Sequence, residues 1–573
     1  MSVVLSEHLP LLASAPDGIQ KLRGLILELA VRGKLVPQDL DDEPASELLK
    51  RIAVEKTLLA ATGEIRKEKA SLPLGEDERP FAVPASWEWI RLTEALAVVT
   101  DGDHQPPPKA DSGVPFLVIG NLNSGLVSFD GCRFVPDHYF EDLDWSKRPT
   151  SGDLLYTVTG SFGIAVPVTT NAPFCVQRHV AILKTVRSSP ASYLLKYLQS
   201  LSAKSFSQEI ATGTAQKTVP LSGLRQMPIA LPPLAEQHRI VAKVDELMAL
   251  CDRLEAEQAD AAGAHARLVE TLLGTLTQST DAADLATNWQ RLAEHFDTLF
   301  VTEACVDTLK QTILELAVTG RLLAQNEADR PVSETLNELE LAGGNAKVRR
   351  GVIAVADSLR YTPPQSLPCN WSAESIARLL QLGAIVDVKD GNHGANHPKV
   401  SEFSATGLPF ITAAQVSENG TIDYDGAYKV SGAPLEKLRV GFARPGDVIY
   451  THKGSVGRVA ICDLDCVLTP QTTYYRLNPS VIHNHFFAYF LRSPSFRNQV
   501  DVVKRQTTRD FVSISAQYEF FCHIPPLDEQ IRIVQKVDEL MALCDRLKAD
   551  LATARHRQAT LADTLIESAL DAA

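Results

Sequence analysis

LPPLAEQHRIVAKVDELMALCDRL, beginning at Leu231, and IPPLDEQIRIVQKVDELMALCDRL, beginning at Ile524, are two copies of one segment. In each, a Pro-Pro pair opens a helix, because proline is tolerated in the first turn, where its missing N–H has no partner to lose. Apolar residues then recur at Ile240, Val244, Leu247, Cys251, Leu254, Ala261, Leu268 and Leu272. Their twins are Ile533, Val537, Leu540, Cys544, Leu547, Ala554, Leu561 and Leu565. Alternating steps of four and three residues predict a coiled-coil seam on a helix of about 40 residues, roughly 60 Å long at ~1.5 Å per residue. A single domain core does not need such a helix. Leu25, Leu29, Leu250 and Leu543 fall off the seam and are expected on outer, still apolar faces.

Working outward, the duplication covers most of the chain. KLRGLILELAVRGKL at Lys21 answers TLKQTILELAVTGRL at Thr308, Glu7-His8 answers Glu294-His295, and Pro44–Glu47 answers Pro331–Glu334. A near-constant offset of roughly 290 residues means one ancestral unit present twice. Between the repeated helical blocks lie two stretches that agree far less. Each opens with Pro-x-x-Trp, at Pro84–Trp87 and Pro368–Trp371, and each carries Asp-Gly-(Asp/Asn)-His, at Asp101–His104 and Asp390–His393. GVPFLVIGNL at Gly113 answers GLPFITAAQV at Gly407, and SGDLLYTVTGSFGIAV at Ser151 answers PGDVIYTHKGSVGRVA at Pro445. Val/Ile/Thr/Tyr-rich runs such as Leu154–Val158, Val448–Thr451 and Tyr474–Leu477, punctuated by Gly and Pro, read as short strands. One helix is expected near Tyr193–Leu201 and its equivalent near Phe486–Leu491.

The expected fold is α+β, with an internal pseudo-two-fold duplication in which two β-rich domains alternate with two long repeated helical, coiled-coil regions. The expected boundaries are 1–80 helical, 81–230 first β-rich domain, 231–366 central helical spacer, 367–523 second β-rich domain and 524–573 C-terminal helix. One scaffold holds two different faces.

Composition narrows the function. The 573 residues are 45% hydrophobic and 22% charged, with net charge -14. An acidic chain is not a generic, charge-driven nucleic-acid binder, although one basic face suffices for a specific one. The nine cysteines are scattered and form no CxxC, so neither a disulfide framework nor a four-thiolate zinc site is supported. The N-terminus MSVVLSEHLP has no basic flank and no apolar core of a signal peptide, and no apolar run reaches the ~18 residues of a membrane helix. A cytoplasmic protein with no membrane partner is expected.

The search for catalytic chemistry finds nothing. Gly33-Lys34 is followed by Leu35 and lacks a phosphate-cradling loop, and Gly160–Gly163 and Gly454–Gly457 are tight turns rather than nucleotide loops. Asn478-Pro479-Ser480-Val481 lacks the second proline and the aromatic ring that an adenine methyltransferase stacks on a flipped base. Asp387-Val388-Lys389 has no carboxylate equivalent in the first copy. His393 and His397 sit in a Gly/Asn/Pro-rich loop where zinc spacing has no helix to act on. His483 and His485 are cap or surface residues, and Cys462 with Cys466 lacks a second pair.

What remains is a set of polar loop residues of the types that read base edges and hold phosphates. In the first copy these are His104, Gln105, Lys109, Asn121, Thr159, Ser161, Gln177, Arg178, His179, Gln216 and Lys217. In the second they are His393, Lys399, Gln415, His452, Lys453, Ser455, Arg458, Gln471, Thr472, Arg505, Gln506, Thr507 and Arg509. Each alone is an ordinary solvated loop residue; the set counts because its members fall in corresponding loops.

Two variable, strand-rich domains alternating with duplicated Pro-Pro-Leu-x-Glu-Gln helices resemble the specificity (S) subunit of a Type I restriction–modification system. The resemblance spans essentially the whole chain. Its most specific part is the pair of blocks at Pro232 and Pro525, followed by Gly-Asp-x-(Leu/Ile)-Tyr-Thr at Gly152 and Gly446. It implies that each β-rich domain is a target recognition domain for one half of a bipartite, asymmetric double-stranded DNA sequence. It also implies that the helices form a spacer docking two methyltransferase (M) subunits, which use S-adenosylmethionine, and that two restriction/translocase (R) subunits join. The chain itself would have no active site, no cofactor and no metal. The tract Pro106-Pro107-Pro108 follows only the first Asp-Gly-x-His loop, so the two loops do not transfer residue by residue. Two other classes are open at this point: an enzyme with a fused methyltransferase or nuclease, and a coiled-coil scaffold or adhesion protein with two β-rich modules that binds no DNA.

Overall fold

The computed structural model describes residues 10–65, 74–104, 107–214, 216–279, 282–345, 348, 350–358, 367–503, 505–506 and 510–572. It divides into two compact units, Met1–Ala261 with Ala554–Ala573, and Ala262–Thr553. The repeated blocks are helices, Leu234–Gln278 of 45 residues and Leu527–Ala572 of 46. Each of these helices begins in one unit and ends in the other.

In the first unit, helix Gly18–Val31 buries Leu25, Ile26 and Leu29 in a core shared with Tyr193, Tyr197, Ile240, Val244, Leu247 and Cys251, and with Ala569 from the last helix. Leu25 and Leu29 are 0% and 2% exposed, so they are core residues and not outer-face ones. The second unit repeats the plan: Glu303–Val318 buries Leu309, Ile313 and Leu316 in a core with Val269, Leu273, Leu276, Ile533, Val537 and Cys544.

The first half of the expected seam is buried, or half-buried at Leu254, Leu540 and Leu547, but the second half is displaced by one residue. Leu268 and Leu561 are 51% and 46% exposed, Ala261 and Ala554 are also exposed, and the buried positions are Val269, Leu273, Ala562 and Ala569. Val269 lies five 3.6-residue turns beyond Cys251, and Ala562 five beyond Cys544. A strict seven-residue repeat drifts by ~20° per heptad on a straight helix, so the buried stripe moves onto the next residue.

Each unit carries a matching pair of sheets. In the first, an antiparallel sheet has the order Val98–Asp101, Val180–Lys184, Leu154–Thr157, Ala165–Pro167. A three-stranded sheet runs Arg133–Val135, Val114–Leu117, Cys175–Val176, its last pair parallel. In the second unit the same order recurs as Ile385–Asp390, Thr472–Leu477, Val448–Thr451, Val459–Ile461. Its other sheet is Tyr428–Val430, Leu408–Ile411, Cys466–Leu468, with Phe442–Ala443 added at one edge. Where one helix was expected after the strands there are two, Ala191–Gln199 and Leu201–Ile210, and in the second unit Asn484–Arg492 and Pro494–Val503. Ser200 breaks the first pair and caps the next helix by accepting from the Ala203 N–H.

The Pro-Pro-Leu-x-Glu-Gln motif locks each set of strands to its long helix. Glu236 is fully buried and accepts the Trp87 indole N–H at 2.8 Å and the Gln38 amide at 2.5 Å. Gln237 donates back to the Pro232 carbonyl at 2.8 Å. Glu529 does the same with Trp371 at 3.0 Å and Gln325 at 2.8 Å, and Gln530 donates to the carbonyls of Pro525 and Val481. Burial raises both carboxyls above their ordinary value and outweighs the lowering effect of these donors. The Pro-x-x-Trp tryptophans are therefore each fastened to a buried acid.

Candidate nucleic-acid interface

In the first unit three strands end along one edge of the four-stranded sheet, where Thr157 pairs with Val180 and Asp101 with Ala181. The loops leaving that edge converge. Buried Thr157 shapes the first of them: its hydroxyl donates to the Ser161 carbonyl at 2.8 Å and accepts from the Ile164 N–H at 3.0 Å. The second unit repeats the device, with Thr451 donating to the Ser455 carbonyl and accepting from the Arg458 N–H at 2.9 Å. Gly160 and Gly454 adopt φ of 69° and 84°, which a side chain would strain, so the Gly-Ser-x-Gly signature is a loop-shape requirement.

Backbone hydrogen bonds tie the neighbouring loops to this one. Val158 N–H donates to the His179 carbonyl at 2.9 Å and Gly160 N–H to the Lys217 carbonyl at 3.0 Å. Their equivalents are His452 to Gln471 at 2.9 Å and Gly454 to Asp510 at 3.0 Å. The Asp-Gly-x-His loop approaches from the other side. A Cβ on Gly102 would lie 1.9 Å from the Val176 carbonyl oxygen, and one on Gly391 would lie 1.9 Å from that of Leu468, so only glycine fits. His104 then pairs with Asp101 at 3.1 Å, and His393 with Asp390 at 2.6 Å, both imidazoles remaining exposed.

These loops enclose equivalent clefts. The first, about 340 Å³, is lined by His104, Lys109, Phe116, Arg133 and Gln177 to His179. The second, about 530 Å³, is lined by His393, His397, Phe403, Phe410, Tyr428, Lys453 and Gln471. Burial, and then the charge of Arg178, hold His179 below its ordinary value; burial does the same for His452. Lys453 lies over the Phe511 ring at 5.9 Å.

The structure thus brings together His104, Lys109, Gln177, Arg178 and His179, with exposed Ser161, Gln216 and Lys217 on the adjoining loops. It likewise gathers His393, Lys453 and Gln471, with Ser455 and Lys399 exposed. Other expected readers turn inward. Asn121 is buried, accepting from the Val118 N–H and donating to the Asp130 carbonyl. Gln415 takes the same position in its copy, accepting from Thr412. Thr159 and His452 are 5% and 1% exposed, and Thr472 is fully buried. Arg458 is held by the Val416 carbonyl and Glu418, so it fastens the loop that follows Val416. Arg505–Gln506 forms a short strand with Asp510–Phe511; Gln105, Thr507 and Arg509 lie outside the described residues. Arg133, Phe403 and Tyr428 line the clefts without having been expected there. They reach the site by strand pairing and a distant loop, which no local motif announces.

Residues 109–262 match the family model for the Type I restriction modification DNA specificity domain. Over 97% of its length the chain is 32% identical to the Type I restriction enzyme EcoAI specificity subunit of Escherichia coli, spanning 94% of that protein. It is 34% identical to the EcoEI specificity subunit of the same species, again across 97% of this chain and 94% of the relative. The chain belongs to the Type I restriction–modification specificity-subunit family. The crystal structure of the HsdS subunit from Thermoanaerobacter tengcongensis aligns over 86% of this chain and 98% of its own, at 18% identity and a TM-score of 0.36. As a specificity subunit the chain is a recognition component and not itself an enzyme, and the scaffold-or-adhesion alternative is not favoured. Among the described residues no helix is long and apolar enough to cross a membrane.

Proposed function

We propose that this specificity subunit reads a bipartite, asymmetric duplex DNA target, one half through residues 81–230 and the other through 367–523. One observation supports this above all: the same cleft, bounded by the same loops, is built twice with different side chains. Two unlike readers on one chain need two unlike half-sites. His104, Lys109, Ser161, Gln177, Arg178, His179, Gln216 and Lys217 serve the first half, and His393, Lys399, Lys453, Ser455 and Gln471 the second. Arg505, Gln506, Thr507 and Arg509 are assigned to the second half from the sequence. Lys217 and Lys399, exposed outside the clefts, hold phosphates and set register, while residues lining the clefts read bases.

The helical regions 1–80, 231–366 and 524–573 act as the spacer and dock two methyltransferase subunits, which bring S-adenosylmethionine; restriction subunits join that complex. The complex works on DNA in the cytoplasm. The test is a map of methylated adenines in a host carrying the subunits, before and after residues 81–230 are exchanged for those of another specificity subunit. One half-site should change and the other stay. A change in both halves, or in neither, overturns the two-reader assignment.

A further inference from the structure

Arg133 and Tyr428 occupy one position in two copies of the same sheet. Arg133 is the strand partner of Phe116, and Tyr428 is the strand partner of Phe410, the equivalent residue. Each lines its cleft beside the histidine of the Asp-Gly-x-His loop. Arg133 is exposed and in no ion pair with the described residues. Tyr428 is 61% exposed, yet its ring lies flat on Phe403, with centroids 4.6 Å apart and planes 10° apart. A stacked aromatic pair held out at a cleft mouth presents apolar surface that water does not favour, and that signals a contact surface.

We infer that Arg133 and Tyr428 are the specificity-determining pair of the two readers: Arg133 selects a guanine in one half-site and the Tyr428–Phe403 platform selects a thymine methyl in the other. The inference rests on the DNA-reading role proposed above. A guanidinium offers a planar, rigid fork of N–H donors that matches guanine O6 and N7; a lysine ammonium reaches the same pair but without that fixed geometry. The platform has no such fork; its flat apolar face suits the C5-methyl that thymine alone shows in the major groove. One backbone position carrying two such unlike groups accounts for an asymmetric target without any change of scaffold.

The test uses the specificity subunit assembled with its methyltransferase subunits and duplexes bearing the mapped target. Each guanine is replaced in turn by 7-deazaguanine, which lacks N7, and each thymine by deoxyuridine, which lacks the methyl. Wild-type complex should lose roughly 2- to 13-fold in binding at one guanine of the first half, since N7 is one of the fork's two acceptors. Loss of the methyl should cost about fourfold at one thymine of the second half. Arg133→Ala should abolish the guanine sensitivity, while Arg133→Lys should keep affinity for non-target DNA and retain part of that sensitivity. Tyr428→Ala should abolish the methyl sensitivity and Tyr428→Phe retain it. Sensitivities that survive Arg133→Ala or Tyr428→Ala, or an Arg133→Ala defect that weakens all sequences alike, overturn the inference. If exchanging residues 81–230 leaves both half-sites unchanged, the reading beneath the inference has failed instead.

Discussion

Tyr156 and Tyr450 sit at matching strand positions, and both are fully buried. The Tyr156 hydroxyl shares a 2.7 Å hydrogen bond with Ser207, whereas that of Tyr450 meets no partner among the described residues. Val500 stands where the repeat would place the serine. A buried, unmatched hydroxyl costs ~1–3 kcal/mol, and a matched one contributes ~1 kcal/mol. Tyr450→Phe should therefore stabilise the protein by about 1 kcal/mol and Tyr156→Phe destabilise it by about as much. Urea midpoints moving in the same direction for both would refute this. Glu236 makes a second prediction. Its pKa is raised by burial, so the fold favours the protonated carboxyl. The resulting stability is complete below the unfolded carboxylate range and is lost as pH rises through the folded value. Glu236→Gln keeps an acceptor for Trp87, since the Gln38 amide can turn to suit, and it removes the charge. The variant should gain on wild type as pH rises from about 4 and then hold a constant lead. A difference in melting temperature that is flat with pH would disprove the buried charge.

At the scale of elements, the loop-shaping threonines invite an isosteric change. Thr157→Val keeps the volume and deletes both hydrogen bonds to the Gly-Ser-x-Gly loop. The expected cost is about 1–3 kcal/mol, with faster amide exchange at Ile164 and looser sequence preference in one half-site only. Unchanged exchange at Ile164 would mean that the turn holds itself. The sequence made this loop legible because its glycines and threonine are close together and their chemistry is local. The duplication was legible for the same reason. Arg133 and Tyr428 were not, because strand register brings them to the clefts from outside any motif. The displaced stripe at Leu268 and Leu561 was hidden differently. Leu268-Val269 and Leu561-Ala562 are adjacent apolar pairs, and only the accumulated drift of a straight helix decides which member faces the core. Asn121 and Thr472 have the residue types of base readers, and what excludes them is burial.

At the scale of the molecule, the long helices carry exposed heptads between their buried stretches, Glu255–Ala261 and Ala552–Gln558. Deleting both removes about 10 Å of helix, roughly three base pairs of rise, and turns the faces by only ~20°. No core residue is lost, and the contacts that go, such as Arg23–Glu255, are surface pairs worth ~1 kcal/mol or less. The methylated target of such a variant should keep both half-sites with a shorter unread gap between them. Full activity on the original gap would show that these helices do not set it.

The first unit is closed by the last residues of the chain. Lys21 pairs with Asp563 at 2.5 Å, Lys34 donates to the Leu570 carbonyl at 3.3 Å, and Ala562 packs between Leu12 and Ala15. During synthesis, then, the first half of the protein leaves the ribosome before its closing piece has been made. At ~5–20 residues per second the wait from Ala261 to Ala554 is roughly 15–60 s, during which the apolar side of helix Gly18–Val31 lacks part of its cover. A nascent chain stopped just short of Ala554 would hold every loop of the first reader yet be the species most in need of a chaperone, and newly finished chains would become protease-resistant in both halves at once.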